Sequence, residues 1–111
     1  MKEVTAILNE TTVLINTIKG TSIYTEYQSA LEDLQRYPEL KARADAFRAE
    51  NYLAYHALKE PISFADFDSL EDKRTELIKY PQIDRYLQAE VALCRVLQEV
   101  QNRLVAAISF D

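Results

Sequence analysis

The chain has a single histidine, His56, so any Ser–His–Asp or Cys–His nucleophilic arrangement must be built on it. Its neighbours are Tyr55 and Ala57, in a stretch that reads as helix, with no nucleophile elbow around it. The sequence therefore favours a helix residue at the core edge or surface. Carboxylate-bridged metal sites in helical bundles need Glu-x-x-His elements, and the residue three before His56 is Leu53. Zinc sites need clustered Cys and His, whereas this chain has one of each, far apart. A phosphate-cradling glycine loop cannot be made from Gly20 alone. No catalytic residue, cofactor site or protein-encoded metal site is expected.

Three further groups of residues bear chemistry. Cys94, flanked by Leu93 and Arg95, reads as a small hydrophobe on or beside an apolar stripe, with a redox sensor or cluster ligand as the alternative. Glu60, Asp66, Asp68, Glu71, Asp72 and Glu76 read as a solvated helix face, with an acidic docking surface as the alternative. There are seven tyrosines, a residue type enriched at interfaces. Tyr27 and Tyr55 fall on core stripes, while Tyr37 and Tyr80 precede prolines at helix junctions. Tyr52 lies off the main stripe, so Asn51, Tyr52 and His56 form the candidate partner surface.

The elements that must position these groups are helices. One Gly and three Pro in 111 residues are too few turn formers for an all-β chain, and 48% hydrophobic residues suit a globular core. A single domain, residues 1–111, is the expectation. Formal net charge is −5, with a pI near 4.9, which opposes direct nucleic-acid binding through a basic face. No apolar run reaches the ~20 residues that cross a bilayer. Met1-Lys2-Glu3-Val4-Thr5 lacks a signal-peptide core, and the lone cysteine fits a reducing compartment, so a cytoplasmic location is expected.

Helix periodicity places Val4, Ile7, Leu8, Leu14, Ile15 and Ile18 on one face of a first helix, from Glu3 to Lys19, with Thr11 filling the gap. Gly20 is expected to end it in the left-handed region, and Thr21 or Ser22 to cap the next. The second helix runs from Ile23 to Arg36, with Tyr27, Ala30, Leu31 and Leu34 on one face. The third starts at Pro38 and runs to Leu58 through Leu40, Ala44 and Phe47. Whether Pro38 breaks or only kinks one longer helix is open. Six alanines between Ala42 and Ala57 favour helix and close approach, and Glu39 is spaced to pair with Arg43.

Lys59-Glu60-Pro61-Ile62 connects to a fourth helix, from Phe64 to Lys79, with Ser63 as N-cap and Ile62 and Phe67 as a staple. Phe67, Leu70, Leu77 and Ile78 are expected to face inward. The last helix runs from Pro81 to Ile108, with Ile83, Leu87, Cys94, Leu97, Leu104 and Ile108 in one stripe and Leu93, Val100 and Ala107 widening it. At 1.5 Å per residue its length is about 42 Å. That exceeds the width of a compact domain this small, so Leu87, Cys94, Leu97, Leu104 and Ile108 form the candidate oligomer stripe. The expected fold is an all-α antiparallel bundle of about five helices with a long C-terminal helix, assembled as a dimer.

The layout, with Tyr37-Pro38-Glu39-Leu40 opening one helix and Tyr80-Pro81-Gln82-Ile83-Asp84-Arg85-Tyr86-Leu87-Gln88-Ala89-Glu90 opening the last, resembles the YlbF/YmcA family of control-of-competence regulators of Gram-positive bacteria. The resemblance covers nearly the whole chain. It implies a helical, self-associating protein without enzymatic activity. Some members act together in a complex that modulates an mRNA-cleaving endoribonuclease, affecting competence, biofilm formation and sporulation. Related small helical proteins or such an endoribonuclease complex are then the partners implied. Family members linked to iron–sulfur clusters carry additional cysteines. With Cys94 alone, this chain would contribute one ligand to a shared cluster or belong to a cluster-free branch.

Four readings follow: a regulatory adaptor, a structural self-assembler without a specific partner, a carboxylate-only enzyme around Glu71, Asp72 and Glu76, and a direct RNA binder. The first is favoured.

Overall fold

The computed structural model describes residues 1–53 and 63–108, and every element among them is helical. The order is α1 (Lys2–Lys19), α2 (Ser22–Gln35), α3 (Pro38–Tyr52), α4 (Phe64–Leu77) and α5 (Pro81–Ile108). The all-α expectation holds, and all five helices start within a residue of where local chemistry puts them. The expected continuation of α3 to Leu58, the connector 59–62, His56, and the Ile62 half of the staple lie outside the described residues.

The junctions show why the helices begin and end where they do. At the end of α1, Gly20 is not in the left-handed region: φ is −83° and ψ is −2°. Its N–H bonds back to the carbonyls of Asn16 and Thr17, and a Cβ there would meet both oxygens at ordinary contact distance, 3.5 Å. The turn is made by Thr21 instead. Its N–H and hydroxyl both donate to Ile18 O, at 3.1 and 2.7 Å, while its Oγ1 accepts from Tyr24 N–H, capping α2. A side chain able to cap both helices removes the need for a positive φ.

Pro38 breaks the chain rather than kinking it. Helix α2 closes with tight bonds from Arg36 N–H to Asp33 O and Tyr37 N–H to Leu34 O. Proline, with no N–H to leave unsatisfied, then takes the first position of α3. The two Tyr–Pro junctions work the same way: Tyr37 O accepts from Lys41 N–H at 2.9 Å, and Tyr80 O accepts from Asp84 N–H at 3.0 Å. Ser63 caps α4, accepting from Asp66 N–H at 3.1 Å. Helix α4 ends at Leu77, two residues early, because Ile78 N–H still reaches Arg74 O but Tyr80 N–H turns to Leu77 O in preparation for Pro81.

The chain divides into two compact units. Unit 2, Ala30–Gln88, holds the end of α2, all of α3 and α4 and the start of α5. Ala30, Leu34, Ala44, Leu70, Ile83 and Tyr86 are its buried side chains, with Leu34 and Ile83 at 0% exposure. Ala30 and Ala44 present only a methyl, which allows close helix approach. Helices α3 and α4 pack directly on each other and are tied by Lys73 Nζ to Glu50 Oε2 at 2.7 Å. Phe67, expected inward, is instead 43% exposed, so Leu70 alone on α4 is fully buried. Arg43, whose spacing suggests Glu39, instead donates from Nη1 to Tyr80 Oη at 3.2 Å and lies over that ring.

Unit 1 comprises Met1–Ser29 with Ala89–Asp111. Helix α1 buries no residue. Thr5, Thr11, Thr12 and Thr17 each donate a hydroxyl bond to the carbonyl four residues earlier, satisfying themselves within the helix. In the distal part of α5, Ala89 is the one buried residue.

Candidate interaction surface

Which side chains could act follows from what each helix leaves uncovered. On α1, Val4, Ile7, Leu8, Leu14 and Ile15 recur at helical spacing and are all exposed, Ile7 the most at 64%. On α5, Leu97, Leu104 and Ile108 lie seven and four residues apart, hence on one face, and are all exposed. Val105 stands beside that face and Val91 one turn before Cys94, both exposed as well. Apolar side chains this numerous, at this spacing, form exposed apolar stripes on both helices.

Of the residues assigned to the oligomer stripe, Leu87 is half-buried, and Cys94, Leu97, Leu104 and Ile108 are exposed. Cys94, read as a buried thiol, is therefore a surface thiol: α5 turns Leu93 and Val96 partly inward and Cys94 out. The stripe is edged by an ion pair, Arg103 Nε to Glu99 Oε1 at 2.9 Å. Glu99, through that hydrogen bond and its charge, raises the pKa of the Arg103 guanidinium.

Of the candidate partner surface, Asn51 is half-buried and Tyr52 exposed in the last turn of α3, while His56 lies outside the described residues. The structure thus brings Asn51 and Tyr52 side by side and says nothing of the third member. Among the described residues, no three His, Cys, Asp or Glu side chains converge as a metal site would require. The acidic residues of α4 are spread along an exposed helix; Glu76 is paired with Lys79 at 3.0 Å, and Asp66 donates its backbone N–H to the capping Ser63.

Two arrangements escaped the sequence. Tyr86 is a core residue at 2% exposure with Arg48 over its ring at 5.8 Å, and Tyr80 is the platform for Arg43 at 5.7 Å. The signal for Tyr86 was its position three after Ile83 and three before Ala89, a second apolar face on α5 distinct from the four-and-seven stripe. Nothing in the sequence pairs Arg43 with Tyr80, which are 37 residues apart.

The fold and the uncovered side chains define a small all-α protein with exposed apolar faces on α1 and α5. Over residues 7–109 the chain matches the model of one family, described as control of competence regulator ComK, YlbF/YmcA. The chain belongs to the YlbF/YmcA family, as its Tyr–Pro segments suggested. No curated protein and no solved structure matches it. Among the described residues, no helix is long and apolar enough to cross a membrane.

Proposed function

We propose that this protein is a non-enzymatic regulatory adaptor that acts in the cytoplasm through protein–protein contacts, in processes of the kind its family regulates. The observation that carries the reading is the run of uncovered apolar side chains on α1 and on α5 beyond Ala89. Exposing that many large aliphatic groups is unfavourable by about 25 cal/mol per Å² of apolar surface, and association removes the penalty. Self-association, as a dimer that completes an antiparallel bundle, accounts for part of this surface. A related small helical protein or an endoribonuclease complex accounts for the rest. A net charge of −5 supports contact with RNA through a partner rather than directly.

The test compares the wild type with a double variant, Leu97→Lys with Leu104→Lys, both checked for helicity by circular dichroism. Sedimentation velocity and capture from native lysate are read for each. A wild-type dimer that recovers a small helical homologue or an endoribonuclease, and a variant that loses both, is the expected result. A dimer that recovers only itself points to a purely structural self-assembler. A monomer that recovers nothing ends the adaptor reading.

A further inference from the structure

We draw no further inference here: the strongest candidate, the open groove between α3 and α4 floored by Ala46, Phe47 and Leu77, carries both Arg43 and Asp72 on its rim, whose charges offset, and nothing in the structure shows what covers it.

Discussion

Residues 30–88 and the segments flanking them are built from the same kind of amphipathic helix, yet they spend their apolar side chains differently. Of the seven buried hydrophobic residues among those described, six lie between Ala30 and Tyr86, and the seventh is Ala89. Helices α1 and α5 are the more sharply two-faced, and α3 and α4 only weakly so. The weakly amphipathic α3 and α4 pack on each other, whereas among the sharply amphipathic helices α2 and α5 bury residues and α1 buries none. A strong stripe thus measures how much a helix has to hide, not whether its own chain hides it. Helices α3 and α4 are also bridged across a long sequence separation by Lys73 and Glu50.

The contrast breaks most directly by truncation. Leu34→Ala removes a fully buried side chain and should lower the unfolding free energy of the chain by about 2–5 kcal/mol in urea melts. Leu8→Ala removes a side chain that is 58% exposed and should change it by less than about 0.5 kcal/mol at dilute protein concentration. A Leu8→Ala loss that approaches the Leu34 value only at high concentration would show that association covers α1 in solution. A comparable loss at every dilution would mean that the α1 face is covered within the chain, and the distinction between the two regions would fall.

A middle-sized effect sharpens the same point at a helix start. Ser63→Ala removes the side-chain acceptor for Asp66 N–H and should cost about 1 kcal/mol, felt in unit 2 because α4 packs there on α3. The corresponding change Thr21→Ala strips the double bond pattern between α1 and α2. Because α1 buries nothing, it should fray α1 locally, seen as faster amide exchange over its last turn, with less effect on global unfolding.

Helix starts were legible because their causes are local. Pro38, Ser63 and Pro81 each fix a boundary through a dihedral, a missing N–H or a capping oxygen, all within four residues. Gly20 misled because its neighbour Thr21 supplied a cap that made a left-handed turn unnecessary. Phe67 misled, and Tyr86 was left without an assigned face, because which face of a helix is covered is settled by a partner distant in sequence. Helix α5 carries two apolar faces that share Ile83. Ile83, Tyr86 and Ala89 step by three into the core, while Leu97, Leu104 and Ile108 step by seven and four on the exposed stripe. Periodicity reveals both faces without ranking them. The exposed stripe could accordingly be named residue by residue, whereas the α3–α4 groove could not, since it exists only once those two helices are paired.

The smallest expected effect asks whether ion pairs follow the same division. Lys73 and Glu50 are 23 residues apart and about half exposed, so a double-mutant cycle with Lys73→Met and Glu50→Gln should give a coupling of about 0.2–1 kcal/mol in global unfolding, shrinking in high salt. Arg103 and Glu99 sit one turn apart on one helix and have no tertiary partner among the described residues to couple. The same cycle on that pair should register in the helicity of α5 and leave the urea midpoint where it was. Equal coupling of both pairs to global unfolding would mean that the far half of α5 is as firmly tied into the folded unit as α4 is. Its exposed leucines would then be held in place by something that covers them, and the dimer becomes the first candidate for what that is.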